Sequence, residues 1–600
     1  MDEVAKVYSK EDFLDSTEPY EELYKLINDK FALERSLNRM AEVARLAGVK
    51  NFRTLFKGYC QLQKQNRVMD YSLNVTNFDG QEMELDTGEW QADEDGITKY
   101  SQYGEVVACV HPIMPSQRLV NIDTGIEKLK LAYRKGRNWR FVVCDKKQLA
   151  SSNLIVGLAD YGIAVNSENA RHLVTYLHDV ENLNYENIPE NNSVSRLGWI
   201  DGEGFSPYVE NLIFDGDLSF RHFFDSVKEK GKCQKWFDAV LKIRQGGIPA
   251  RIMLAASFAS VLVEPCGGLP FFVHLFGGTE TGKTVALMLS ASVWANPEMG
   301  KYIHTFNSTQ VAQELAAGFV NSMPLILDEL QIVKEKKDFD NMIYQLAEGV
   351  GKSRGQKTGG MQKTGTWNNC ILTTGEQPIS NNSSGGGAVN RIIEINCEDT
   401  KLFADPVKLA ETLKKNYGFA GRIFVDKLQE EGGMETAREL QKSIYRDIVQ
   451  GETTEKQAMA ASLILAADTL INMWIFKDGQ ELYYKDIIPF LSTKKEVSAN
   501  ERAKSWMAGW IAQNKSKFDE SSFATDTWGK FEMGYIYILR NVFDRACSEN
   551  GFNSASFLSW LKRNDLIDTP EKGNTKMKRI NGFPCHCVAL KIEASTFEGD

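Results

Sequence analysis

The sequence predicts an α/β fold built on a parallel sheet flanked by helices, and three observations predict it. Residues 277–284 read Gly-Gly-Thr-Glu-Thr-Gly-Lys-Thr, the GxxxxGK[ST] pattern that cradles nucleotide phosphates, set between an apolar run (Phe271–Phe276) and an apolar helix-like start (285–289). The run Pro324-Leu325-Ile326-Leu327 ends in two adjacent carboxylates, Asp328 and Glu329. Two more strand-like runs follow at 369–376 and 389–395. Short apolar runs ending in polar groups suit buried strands that deliver side chains to one edge of a sheet.

Each element has a chemical reading. In the loop, glycines let backbone N–H groups close on phosphate, and the helix N-terminus adds its positive end. The candidate nucleotide contacts are Gly277, Gly278, Thr279, Glu280, Thr281, Gly282, Lys283, Thr284 and Val285. Lys283 is expected to reach the β/γ-phosphates of ATP, and Thr284 to hold Mg²⁺. Asp328 is expected to orient Mg²⁺ and its waters, and Glu329 to polarise the attacking water as general base. The strand at 369–376 ends in Thr374, Gly375 and Glu376. Thr374 is the candidate sensor of the γ-phosphate, with Glu376 second, provided this strand lies between the other two. Arg391 opens the last strand after a glycine-rich loop, where an arginine can reach the nucleotide of a neighbouring subunit.

From Gly349 to Gly375 there is no acidic residue, yet Lys352, Arg354, Lys357 and Lys363 all fall there. In a chain with a net charge of −10 and a pI near 5.5 this is a local positive patch, suited to a hairpin that tracks a phosphate backbone. The same charge excludes a surface that is basic throughout. Trp367 in this stretch reads as core rather than as a base-stacking residue.

The rest of the chain is organised around this region. The expected segments are a helical N-terminal region (1–100), a small α+β domain (101–210), the ATPase domain (211–430), a helical lid or linker (431–485) and a winged-helix-like C-terminal domain (486–600). Helical periodicity marks 31–49, through Leu33, Leu37, Met40, Val43 and Leu46, and helices are also expected at 170–179 and 456–474. Residues 82–95, rich in acids and turn formers, read as a solvated linker. Strand-like runs at 105–110, 128–133 and 139–144 are separated by Asp123-Thr124-Gly125 and Lys135-Gly136-Arg137-Asn138. Near the C-terminus a helix (552–567) carries Phe557, Leu558 and Leu561 on one side. Asn581-Gly582 then joins two strand-like runs, a hairpin signal, and Pro584 marks the second run as an edge.

The ten cysteines and seven histidines are dispersed, and neither Cys585-His586-Cys587 nor the pair His172 and His178 has metal-site spacing, so no metal site beyond Mg²⁺ is expected. No apolar h-region opens the chain, and the apolar run 252–263 is too short for a bilayer, so a cytoplasmic location without a membrane partner is expected.

The order of phosphate loop, Asp-Glu pair, basic hairpin, polar strand end and arginine-led strand resembles AAA+ ATPases of the helicase clade that holds superfamily 3 and MCM replicative helicases. Those insert a hairpin with pore-facing lysines before sensor 1, and Lys357-Thr358-Gly359 resembles the start of the MCM hairpin. Lys357 and Lys363 are the expected pore contacts. Leu119–Gly125, Arg196-Leu197-Gly198-Trp199, Leu327-Asp328-Glu329-Leu330, Thr374-Gly375-Glu376 and Asn416-Tyr417-Gly418 narrow the resemblance. They are similar to a phage- and plasmid-type helicase-like family, long catalogued as a domain of unknown function, that includes the cassette chromosome helicases of staphylococcal mobile elements. The sensor asparagine usual in superfamily 3 is not evident, and no sensor-2 arginine is assigned.

The resemblance implies an AAA+ core and an ATP-dependent DNA helicase and replication initiator. It would form a ring, expected to be a homohexamer, with Arg391 acting in trans and single-stranded DNA in its channel. It further implies a C-terminal domain for duplex origin DNA and leaves room for a primase or polymerase partner. Two alternatives stand: a protein remodeller, for which Gly318-Phe319-Val320 is the candidate pore loop, and a nucleotide-binding origin scaffold without helicase activity.

Overall fold

A computed structural model describes residues 8–591 apart from 28, 70–73, 82, 102–103, 307, 330–335, 356–363, 380–388, 399, 520–525 and 572. The chain divides into two compact units, one up to Ser193 and one from Val194 onward.

The first unit opens with helices Lys10–Asp15, Glu18–Tyr24, Lys30–Leu46 and Phe52–Met69 around Phe13, Tyr20, Leu23 and Phe52. The helix expected at 31–49 starts where Asp29 caps the N–H groups of Phe31 and Ala32. Leu33, Leu37 and Met40 pack against this core as expected, but the stripe continues through the buried Ala44, leaving Val43 and Leu46 exposed. Residues 82–95 are not a solvated linker. Leu85, Thr87, Trp90 and Ala92 are buried, Trp90 Nε1 donates to Asp179 Oδ2 at 3.1 Å, and Gln91–Asp93 is a strand pairing with Gly96–Ser101. The described acids, from Glu84 onward, are exposed while Leu85, Thr87, Trp90 and Ala92 turn inward between them, and composition alone hides that alternation. Strands Ile113–Asn121, Glu127–Arg134 and Trp139–Asp145 form an antiparallel run, covered by the helix Ala170–Leu183 through Leu173, Tyr176, Leu177 and Val180.

The second unit holds a five-stranded, all-parallel sheet: β1 (Phe271–Phe276), β2 (His304–Thr305), β3 (Leu325–Asp328), β4 (Cys370–Gly375) and β5 (Ile392–Asn396), in the order β2-β3-β4-β1-β5. β1, β3 and β4 are buried along almost their whole length, which is why each reads as a continuous apolar run rather than an alternation. The connections include α1 (Lys283–Ser292), α2 (Gln310–Val320) and α3 (Lys336–Glu348), and α4 (Pro406–Lys415) follows β5. Further on, α5 (Glu455–Ile471) packs on the helices Gly433–Val449 and Ile248–Ala259. With its π-turn extension to Phe476 it is long and apolar enough to cross a membrane by length and composition, but 61% of that apolar window is buried inside the protein. It is a core helix, and its interspersed polar residues kept it from standing out as one apolar run.

The Arg196–Trp199 segment is pinned to the far end of α2. Trp199 N–H donates to Ser322 Oγ at 2.8 Å, and Asn321 Nδ2 donates to the Trp199 carbonyl at 3.0 Å. Gly198, at φ 83°, is required there, since a Cβ would sit 2.3 Å from Ser322 Oγ.

The C-terminal part comprises α6 (Ala499–Gln513), β6 (Gly529–Glu532), β7 (Tyr535–Leu539), α7 (Arg540–Glu549), α8 (Ser554–Arg563), β8 (Ile567–Asp568), β9 (Lys576–Ile580) and β10 (Phe583–Lys591). α8 buries Phe557, Leu558 and Leu561 as expected. Asn581 (φ 47°) and Gly582 (φ 81°) turn β9 into β10 with both central residues at positive φ. β10 is not an edge strand as a whole: it pairs with β7, β8 and β9. Pro584 is tolerated because β7 joins only from Cys587 onward, leaving β9 alone beside the proline.

Candidate active site

The phosphate loop leaves the end of β1 and enters α1. Gly277 has φ 130°, and a Cβ there would lie 2.8 Å from the Glu398 amide nitrogen. Gly282 (φ 95°) is the N-cap of α1, and Glu280 also takes a positive φ of 63°. A cleft of about 570 Å³ lies over this loop, lined by 279–285, Asp328, Glu329, 374–376, Pro406 and Val407. Gly277 and Gly278 do not line it; their carbonyls accept hydrogen bonds from Lys283 Nζ, the first at 2.8 Å.

β4 lies between β1 and β3, with Thr374 level with Leu275 and Thr373 level with Leu327. That order brings Thr374 beside Asp328, and its hydroxyl donates to Asp328 Oδ1. The same oxygen accepts the Glu329 N–H at 3.0 Å. Asp328 is buried, whereas Glu329 is exposed in the cleft with φ 60°, a conformation disfavoured for a side-chain-bearing residue. With Oδ1 engaged twice, Oδ2 is the oxygen that a metal at this site would take. Thr284 and Asp328 both line this cleft and supply hard oxygen donors, and Mg²⁺ takes few protein oxygens and keeps several waters, so the residues fit that ion. No group of three or more His, Cys, Asp or Glu suited to a metal occurs among the described residues.

Arg391 stands at the other end of the sheet. Its carbonyl accepts from the Phe272 N–H at 2.8 Å, level with the start of β1, roughly 16 Å of strand away from the phosphate loop. Its guanidinium donates to the Ala347 carbonyl and lies 3.5 Å from the Glu348 carboxylate. Within one chain it does not reach the cleft. The turn that carries it is held by the start of α5: Gln457 Nε2 donates to the carbonyls of Val389 at 3.1 Å and Ile392 at 2.8 Å, and Thr454 Oγ1 donates to Asn390 Oδ1.

The basic stretch begins as a two-stranded stem. Val350 bridges Thr366, Gly351 N–H donates to the Gly365 carbonyl at 2.9 Å, and Trp367 N–H to Gly349 at 3.0 Å. Lys352 and Arg354 lie on the outgoing arm. Lys357 and Lys363 lie outside the described residues. Trp367 is fully buried and donates from Nε1 to the Leu346 carbonyl at 2.8 Å, so it is core.

Three participants were not anticipated. Pro406 and Val407 wall the cleft at the start of α4; Asp405-Pro406, a cap followed by proline at the first helical position, was the available signal. His274, on β1, is fully buried. Its Nε2 donates to the Gln377 carbonyl at 2.9 Å and its Nδ1 accepts from Thr373 Oγ1 at 2.8 Å, tying the phosphate-loop strand to the segment after Thr374. Burial pushes its pKa down to about 4. No sequence pattern marks this role.

With this geometry established, comparison with known proteins is informative. Residues 86–367 match the profile of DUF927, a domain of unknown function, and residues 498–595 match the Cch helix turn helix domain. Over residues 86–367 the chain is similar to the DUF927 family. The Cch-type match takes in every element from α6 to β10, among them the α7–α8 pair and the β9–β10 hairpin. No curated protein sequence matches this chain. Among solved structures, the SCCmec type IV Cch active helicase aligns with a TM-score of 0.61 at 18% identity, covering 85% of this chain and 98% of that one, and the two share a fold. The C-terminal region of NrS-1 (TM-score 0.27, 9% identity, 79% of this chain and 95% of that one) and JCV helicase (0.19, 12%, 40% and 72%) also match, too distantly to carry an argument.

Proposed function

We propose that this protein is an ATP-driven DNA helicase and replication initiator that works as a ring, with a homohexamer as its expected form. The observation that carries this reading is the placement of β4: it sets Thr374, Asp328 and Glu329 across one cleft from Lys283 and Thr284, in the same core that roots a basic hairpin stem. The fold shared with an active helicase supports it.

ATP phosphates would be held by the N–H groups of the loop and by Lys283, which leaves its carbonyl partners for the β- and γ-oxygens. Thr284 and Asp328 would hold Mg²⁺, which when bound neutralises charge on the β- and γ-phosphates. Glu329, exposed beside them, takes the proton of the attacking water. Thr374 holds the Asp328 carboxylate in one orientation. Arg391 acts on the nucleotide of a neighbouring subunit, since within its own chain it is roughly 16 Å of strand from the loop. Lys352, Lys357 and Lys363 follow the backbone of single-stranded DNA, and α8 with the β9–β10 wing serves a duplex site. A DNA substrate and ATP with Mg²⁺ are thus the expected partners, and a primase or polymerase contact is left to the first unit or to the C-terminal domain.

The remodeller alternative loses its candidate pore loop, because Phe319 is buried and stacks on Phe220 at 4.6 Å. The scaffold alternative does not account for an exposed Glu329 beside the metal-organising acid.

The deciding measurement is ATP hydrolysis by the purified chain with and without single-stranded DNA, followed by forked-duplex unwinding. DNA-stimulated turnover that Lys283→Ala abolishes supports the motor. Hydrolysis indifferent to DNA, or stimulated by unfolded protein instead, overturns it.

A further inference from the structure

Lys352 and Arg354 are both tied back to the core through one chain of side chains. Lys352 Nζ donates to Gln310 Oε1 at 3.1 Å, and Gln310 Nε2 donates to Gln345 Oε1 at 2.5 Å. Gln345 Nε2 donates to Glu314 Oε1, and Arg354 donates to Glu314 Oε2 at 2.7 Å. The direction of every bond is forced. An ammonium only donates, so the Gln310 oxygen must face it; its NH₂ then faces the Gln345 oxygen, and the Gln345 NH₂ faces the carboxylate. All donors run to Glu314, which only accepts. Its side chain is 5% exposed, so it is removed from competing water.

The placement of these residues gives the chain a mechanical meaning. Gln310 and Glu314 are one turn apart on α2, on one face. Gln345 is in the last turn of α3, whose final residue, Glu348, directly precedes the first stem residue, Gly349. α3 is the helix between the Asp328-Glu329 pair and the hairpin. The clasp therefore joins α2, the end of α3 and the outgoing arm of the stem.

We infer that Glu314 is the positioning residue of the hairpin: with Gln345 and Arg354 it sets the posture of the stem against α2 and α3, so that movement of α3 reaches the hairpin, and Arg354 serves inside this clasp rather than on a DNA phosphate. The inference rests on the motor reading for its purpose, not for its geometry. Glu314→Gln keeps the shape but turns an NH₂ toward one of two converging donors, which opens the clasp.

The test uses the full chain with Glu314→Gln, Arg354→Gln, their double variant, and Gln345→Met, which cuts the same chain without touching a charge. Hydrogen exchange of the Gly351 and Trp367 amides, DNA stimulation of ATP hydrolysis, and the salt dependence of single-stranded DNA binding are read. Glu314→Gln should leave DNA-free hydrolysis within about twofold, speed stem exchange about tenfold or more, and lower DNA stimulation severalfold. Arg354→Gln should match it, the double variant should add nothing, Gln345→Met should follow in the same direction, and the salt slope should stay that of the parent. Additive effects, unchanged stem exchange, or a salt slope lowered by about one in Arg354→Gln alone overturn the clasp, the last by making Arg354 a phosphate contact. If the parent shows no DNA stimulation, the motor reading fails, while the exchange measurements still decide the clasp.

Discussion

Thr374 donates its hydroxyl to Asp328 Oδ1, the oxygen that also accepts the Glu329 N–H, so two hydrogen bonds converge on one oxygen and fix the carboxylate's orientation. Replacing the hydroxyl by a methyl should therefore disorder the acid without emptying the site. Thr374→Val is expected to lower kcat for ATP about 10- to 100-fold, the worth of one hydrogen bond to a charged group, with little change in nucleotide affinity. Steady-state hydrolysis across a Mg²⁺ titration checks this; an unchanged kcat would detach Thr374 from the chemistry.

Glu329 carries both the expected base and a disfavoured backbone. Glu329→Gln should cut hydrolysis by roughly 10²- to 10⁴-fold while binding of a fluorescent ATP analogue persists. The two assays run side by side separate loss of the base from loss of the site.

His274 makes stability depend on pH in a defined window. Its folded pKa is pushed down to about 4 by burial, below an ordinary value of 6.5, so the unfolded chain binds the proton first. The contribution is complete above pH 6.5 and is lost as pH falls toward 4. Between pH 7 and pH 5 the parent should lose about 2 kcal/mol more than His274→Gln in urea unfolding, from a total of about 3 kcal/mol.

Two glycines at positive φ separate crowding from backbone strain. At Gly418 (φ 89°) a Cβ would lie 2.2 Å from the Lys228 carbonyl, whereas at Gly202 (φ 74°) nothing lies within 4 Å. Gly418→Ala should cost about 2–5 kcal/mol, strain plus overpacking, and Gly202→Ala about 1–2 kcal/mol, strain alone. Denaturant midpoints of the two variants decide; equal losses would remove the crowding argument.

The core of the site was legible because its strands are buried on both faces. Phe271–Phe276, Leu325–Asp328 and Cys370–Gly375 announce themselves as apolar runs, and each delivers its polar residue at the strand end. β2 was not legible, since His304–Thr305 is a two-residue strand with no pattern to read. Nor was the burial of Trp90 within an acidic segment, because composition averages over the alternation that places it. The in-chain ties of Arg391, Lys352 and Arg354 were hidden for a different reason: their partners, Ala347, Gln310 and Glu314, come from helices whose approach depends on tertiary packing. The wing turn was readable from Asn581-Gly582, but the central position of β10 was not, as Pro584 reports only on its own stretch of strand.

The grip of α5 on the turn around Arg391 bears on how the chain can be dissected. Excision at the Gly451 loop removes Thr454 and Gln457, and the arginine's turn loses its mount even though the sheet itself is kept whole. The severable seam lies further along: Thr453 bridges Thr493 and Lys494 N–H donates to the Glu452 carbonyl at 2.9 Å, stitching the chain back to the start of α5 until just before Ser498 opens α6. A fragment ending there retains the helix that seats Arg391, and shedding the Cch-type domain at that point subtracts the proposed duplex site while leaving the proposed motor intact.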